Sequence, residues 1–234
     1  MSWLEQLRKT FIASGHYEWI IEGFLNTIKI TLGALAIGVV IGSAVAVAKY
    51  FSEGATSMRW VSVLCDFYVT VIRGIPVVVL LFIFFFVVMI GADGVTVAIL
   101  TFGINSGAYM AEVVRSGINA VDKGQMEAGR SLGLSKLQTM RKIIFPQAIR
   151  NILPAIGNEM IALLKETSVA GYVGVVDLTR AGNIIRNNTF DAINPLLLVA
   201  LVYLVLVVGL TRLLKVFERK LAKNEDRIRK RDLH

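Results

Sequence analysis

The sequence is poor in the residues on which soluble catalysis usually depends. Its single cysteine, Cys65, excludes a disulfide framework and a multi-cysteine metal site, and its apolar context suits a small buried hydrophobe. The two histidines, His16 and His234, fall in the terminal segments, so no metal site is expected within the apolar regions. No glycine-rich phosphate-binding loop ending in Gly-Lys-Ser or Gly-Lys-Thr occurs, so the chain is not expected to hydrolyse ATP. No serine stands in a nucleophile-elbow context. The first 19 residues hold Glu5, Arg8, Lys9 and Glu18 and no apolar run, which argues against a cleavable signal peptide.

What is present is apolar surface in long blocks. Hydrophobic residues make up 55% of the chain, against roughly 45–50% in a soluble domain. The excess is concentrated in stretches such as 77–90 and 195–210. A bilayer core about 30 Å thick needs roughly 20 apolar residues per helix. The sequence therefore predicts an all-α integral membrane protein of about five transmembrane helices. The net charge of +8 could suggest nucleic acid, but its placement argues against that partner. Lys and Arg number seven in 115–150, nine in 212–234 and two in 49–59. This is the positive-inside pattern. Five crossings with the amino terminus outside and the carboxyl terminus cytoplasmic put all three segments on one side.

Along the chain, 1–18 reads as an amphipathic lead-in, with Trp3, Leu4, Leu7, Phe11 and Ile12 at helical spacing. The membrane domain is expected over 19–215, followed by a basic cytoplasmic tail over 216–234. Its first span, 19–48, carries Gly38 and Gly42 on one face, where small residues let another helix approach closely. The second region, 60–90, is long for one span and is interrupted by Gly74 and Pro76, which predicts a bent or broken helix. A turn is expected at 91–94. The third span is 95–117. The fourth region, 152–176, is broken by Lys165-Glu166-Thr167-Ser168. A polar outer loop is expected over 177–194, and the last span over 195–214.

Charged residues within apolar regions need a partner, a wet cavity or a bundle interior, because each costs about 2.5–3.5 kcal/mol at a helix centre. Glu112 and Arg115 form an i,i+3 pair, best read as a local salt bridge. Arg73 reads equally well as an anchor at the helix break or as a ligand. Glu159 follows Gly157-Asn158 deep in the fourth region. It is either an interhelical hydrogen-bonding group or a contact for a cationic or zwitterionic solute. The break after Lys165 frees backbone groups at membrane depth, which transporters use for solute sites. The candidate solute contacts are Asp66, Asn105, Glu159, Lys165 and Thr167.

The most specific pattern lies in the polar stretch between spans. Gln125-Met126-Glu127-Ala128-Gly129-Arg130-Ser131-Leu132-Gly133 continues to Ile143-Ile144-Phe145-Pro146. Gly133 can end a short helix in a sharp turn, and Ser135 can cap the next. The expected product is a helix-turn-helix on the cytoplasmic face, able to enter a groove on a soluble partner. Its spacing resembles the coupling motif of bacterial ATP-binding-cassette importer permeases, with Gly129 for an alanine and Phe145 for a leucine. Arg73-Gly74-Ile75-Pro76, 108–118 and Leu164-Lys165-Glu166-Thr167-Ser168 are similar to signatures of the polar amino-acid permeases.

That resemblance implies a multi-pass protein of the bacterial inner membrane, set in lipid. Its implied partners are a cytoplasmic ATPase dimer, a second permease subunit and an extracytoplasmic solute-binding protein. ATP and magnesium would sit on the ATPase, with no cofactor in this chain. Coupling falls to residues 122–146, with Glu127, Ala128, Gly129, Gly133 and Pro146 as the contact and hinge positions. The acidic residues at membrane depth favour a cationic amino acid such as arginine, lysine or histidine; Lys165 argues partly against this and leaves glutamine open. A stand-alone channel or secondary transporter is the competing reading, and it gives the coupling segment no task. A membrane-embedded enzyme lacks a nucleophile and base at membrane depth.

Overall fold

The structure, a computed structural model, describes residues 5, 8–13, 15–52 and 58–231, with backbone alone from 221 onward. The described residues are almost wholly helical. A π-helical turn at Arg8–Ala13 precedes α1 (Tyr17–Ser52). Then come α2 (Arg59–Gly74), α3 (Val77–Ile83) extended by a π-turn to Val88, and α4 (Gly94–Asn119). Two short helices follow, α5 (Gly124–Ser131) and α6 (Lys136–Thr139), and a π-turn leads into α7 (Phe145–Glu166). A 3-10 turn (Thr167–Val173), α8 (Leu178–Thr189) and α9 (Asn194–Arg231) complete the chain. Of the expected amphipathic lead-in, Trp3, Leu4 and Leu7 lie outside the described residues, Phe11 is buried and Ile12 is exposed.

Among the described residues, three helices are long and apolar enough to cross a bilayer alone: α1, α4, and α9 as far as Lys220. The expected break at Gly74 and Pro76 is present and severe. The axes of α2 and the helix that begins at Val77 differ by 103°, so the pair is a broken span or a re-entrant segment. Pro76 supplies no amide hydrogen to continue α2, and Ile75 before it is extended. The fourth apolar region likewise divides where expected, α7 ending at Glu166 and the 3-10 turn beginning at Thr167.

The central pairing is α1 against α4. Its closeness follows from the glycines. A Cβ at Gly42 would lie 2.3 Å from the Met110 Cβ and 2.8 Å from the Gly107 carbonyl oxygen. A Cβ at Gly38 would lie 2.7 Å from the Ser106 hydroxyl. From the other side, a Cβ at Gly107 would lie 2.9 Å from the Ile41 Cγ2. The glycines therefore let the two helices approach closely and leave room in the seam for the side chains of Met110, Ser106 and Ile41. Around this seam lie two apolar clusters. One joins Ile30, Ala34, Leu81, Phe102, Leu163 and Val173. The other joins Ala46, Val114, Ile118, Met140, Ile144 and Ile152.

The stretch 177–194, expected as a loop, is mostly helix. Asp177 caps α8, its carboxylate accepting from the amides of Thr179 and Arg180. Leu178, Ala181, Gly182 and Ile185 recur at helical spacing and are buried. The polar residues between them occupy the other face, which explains why the composition reads as a loop. Asn26 donates to the Val176 carbonyl, and the Leu178 amide donates to the Thr27 hydroxyl, which ties this end to α1. Burial pushes the Asp177 carboxyl up to about 6, against the lowering effect of the backbone amides it accepts from. The last helix also runs further than expected, α9 continuing as backbone helix to Arg231.

Candidate functional site

Two regions collect the residues that the sequence singles out. The first lies where α4 meets α7. Ser106 is fully buried on α4 and donates a hydrogen bond to the Glu159 carboxylate on α7 at 2.7 Å. The bond spans 53 residues of sequence, and its room comes from Gly38, whose missing side chain would occupy the space of the hydroxyl. Asn105, next to Ser106, is buried as well. Glu166 follows Glu159 by two helical turns on the same stripe of α7, half-buried like it. Thr167 is buried at the start of the 3-10 turn, its hydroxyl donating to the Leu164 carbonyl. Lys165 is exposed at the end of α7. Asp66 belongs to a different place: it makes an ion pair with Lys49 across α1 and α2, and its carboxylate is largely exposed. The site as found thus adds Ser106, which the sequence reading missed, and gives Gly38, expected there as a close-packing position, the further task of making room for it. The available signal was a hydroxyl between Gly103 and Gly107 in an apolar helix.

The Glu159 carboxylate is half-buried and has a hydrogen-bond partner within the protein, which lowers the cost of a charge among apolar helices. The Ser106 hydroxyl satisfies one of the several acceptor positions of the Glu159 carboxylate. The remaining acceptor positions suit an ammonium or guanidinium group.

The second region is the segment between α4 and α7. Here α5 ends in a Schellman motif. Gly133 has φ +82°, its amide donates to the Arg130 carbonyl, and the Leu134 amide donates to that of Gly129. Ser135 then caps α6 in a reciprocal box, its hydroxyl accepting from the Gln138 amide while its own amide donates to the Gln138 side chain. Gly129 is buried, and a Cβ there would lie 2.4 Å from the Thr139 methyl group, so glycine lets α5 rest on α6. Pro146 sits in the first turn of α7, where its missing amide hydrogen is harmless. Glu127 and Ala128 are exposed, as are Leu132 (80%) and Leu137 (61%) at the tip. Lys136 lies over the Tyr50 ring at the end of α1, 5.1 Å from its centre. The element is self-capped, anchored through Met140 and Ile144, and presents an apolar tip to the outside.

Residues 38–223 match the family described as the binding-protein-dependent transport system inner membrane component. The chain belongs to this family. A putative glutamine transport system permease protein of Rickettsia typhi is 36% identical over 210 residues, 88% of this chain and 94% of the relative. An arginine transport system permease protein of Bacillus subtilis is 36% identical over 211 residues, with the same coverage. Among solved structures, an amino acid transporter of the ATP-binding-cassette class, crystallised with histidines, superposes at TM-score 0.83. It has 37% identity and covers 94% of this chain and 99% of that one. This permease is accordingly a multi-pass inner-membrane subunit of an amino-acid ATP-binding-cassette transporter, and its family works with an ATPase and a binding protein.

Proposed function

We propose that this permease carries a cationic amino acid, with arginine the first choice, by alternating access. The observation that supports this most is the buried Ser106–Glu159 hydrogen bond beside a second carboxylate, Glu166. Glu159 receives the cationic group, Asn105 adds a neutral polar contact, and Lys165 and Thr167 remain candidates along the same path, whereas Asp66, paired with Lys49, lies away from it. The arginine transport permease named among the relatives agrees with a cationic solute, and the glutamine permease names the neutral competitor.

Five crossings, with the amino terminus outside, keep the basic segments cytoplasmic. In that arrangement α7 is one of the five crossings. ATP with magnesium is held and hydrolysed by a partner ATPase dimer. Closure of that dimer moves the helix-turn-helix of 122–146 as a unit, with Glu127 as its ionic contact and Gly133 fixing its angle. Two permease subunits, identical or homologous, rock between inward- and outward-facing states, and a binding protein delivers the solute from outside. The test is Glu159→Gln in the reconstituted transporter, with arginine and glutamine uptake measured side by side. A loss of arginine uptake of about tenfold or more, corresponding to one charge-assisted hydrogen bond, with glutamine unaffected, is expected. Equal arginine uptake by variant and wild type would remove Glu159 from the path.

A further inference from the structure

A third polar place exists that neither region absorbs. Arg73 ends α2, and its guanidinium lies 4.8 Å above the centre of the Tyr109 ring on α4. One turn on from Tyr109, Glu112 accepts two hydrogen bonds from Arg115, at 2.7 and 3.3 Å. Arg73, Tyr109, Glu112, Ser116 and Asn151 line one open cavity of about 420 Å³ between α4 and α7. It takes residues from three helices, α2, α4 and α7.

The chemistry of the lining is that of a divided charge. Among the described residues, Arg73 makes no ion pair, and its stacking on Tyr109 leaves the guanidinium edge free to donate. Glu112 has acceptor positions beyond the two that Arg115 occupies. A cation able to hold a carboxylate and an anion able to hold an ammonium thus face one space, with Ser116 and Asn151 as neutral hydrogen-bonding groups. A free α-amino acid carries this pair of charges on its main chain, whatever its side chain.

We infer that this cavity is a second binding site for free α-amino acids, separate from the Glu159 region, that reads the zwitterionic main chain. Asn151, Ala155 and Glu159 follow one another at four-residue spacing along α7, so the cavity lies on the same helix face as Glu159, two turns towards the coupling segment. Its assignment to the cytoplasmic exit rests on the orientation proposed above; its ligand class does not. A solute released from Glu159 meets it next. An amino acid accumulated in the cytoplasm can occupy it without the binding protein.

Equilibrium binding of radiolabelled L-arginine and L-glutamine to the full chain in lipid nanodiscs tests this. Two classes of arginine binding are expected, one weakened by Glu159→Gln and the other about tenfold or more by either Arg73→Gln or Glu112→Gln. Arg73→Lys, which keeps the charge, is expected to retain the second class within about threefold. Agmatine, which lacks the carboxylate, and N-acetylarginine, which lacks the ammonium, should fail to compete for it in the unmutated protein. That arm needs no folded variant. Binding unaltered by Arg73→Gln and Glu112→Gln, or equal competition by both analogues, overturns the inference and leaves Arg73 as an anchor of the helix break. Loss of the Glu159 class alone would instead count against the transport path proposed above.

Discussion

The α1–α4 seam and the helix-turn-helix of 124–139 are both built around glycine, yet they solve opposite problems. In the seam, Gly38, Gly42 and Gly107 remove side chains so that two long helices approach closely. The contact is continuous and wholly internal, and its reward is a fixed depth for Ser106 and therefore for Glu159. In the helix-turn-helix, Gly133 supplies a left-handed turn and Gly129 a close contact only a few residues away in space and sequence. That element closes its hydrogen bonds on itself and leaves Leu132 and Leu137 uncovered. One region is held by its neighbours and carries the Ser106–Glu159 hydrogen bond. The other is held by its own caps and is attached to the rest through Met140 and Ile144.

The largest expected effect breaks the seam. Gly42→Leu places carbon where the Met110 Cβ and the Gly107 carbonyl already stand, 2.3 and 2.8 Å from the new Cβ. Backbone cannot yield as a side-chain tip can, so the cost should exceed the roughly 1–3 kcal/mol of ordinary overpacking. The detergent-solubilised variant should lose its thermal transition or its monodisperse peak, whereas Gly209→Ala, with nothing within 4 Å of the added carbon, should match the parent. A well-folded Gly42→Leu protein would contradict the packing described here.

The start of α8 offers a smaller, pH-dependent effect. Asp177 is pushed up from 3.8 to about 6 by burial. Since its folded value lies above its unfolded one, ionising it opposes folding. Its unfavourable contribution is absent below about pH 4 and reaches at most about 3 kcal/mol above pH 6. Asp177→Asn keeps a capping oxygen and removes the titration. The thermal midpoint of the variant should gain on the parent steadily from pH 4 to pH 7; a constant gap between the two would show that Asp177 does not titrate in this range.

The two regions also differ in how far they can be read from sequence. Glycines four apart in an apolar helix announce a close contact, and Gly133 followed by Ser135 announces a turn and a cap, because each device acts over a few residues. The breaks at Pro76 and after Lys165 are legible for the same reason. What escapes is long-range. Nothing near Glu159 names Ser106 as its partner, and nothing near Asp66 names Lys49, since each pair is made by helix packing between distant stretches. The helix at Leu178–Thr189 escapes for a different cause: its outward face is polar enough to mask a buried stripe of Leu178, Ala181 and Ile185. The capping residue Asp177 and the spacing of Leu178, Ala181 and Ile185 are the local signals of this helix.

The smallest effect asks whether the helix-turn-helix is a single rigid unit. Gly129→Ala brings a Cβ to 2.4 Å from the Thr139 methyl and 2.8 Å from its hydroxyl. The cost should be about 1–3 kcal/mol of local stability, since Thr139 is buried and cannot swing clear. Thr139→Ala alone forfeits the hydroxyl's bond to the Ser135 carbonyl, about 0.5–1.5 kcal/mol. In the double variant the offending atoms are gone, so the two losses should not add; the expected coupling is at least about 0.5 kcal/mol. Hydrogen exchange at the amides of 124–139 measures the stability of this element without unfolding the membrane helices. If the losses add, α5 and α6 are not braced through Gly129 and Thr139. A push received at Glu127 would then be absorbed at the turn and not passed to α7.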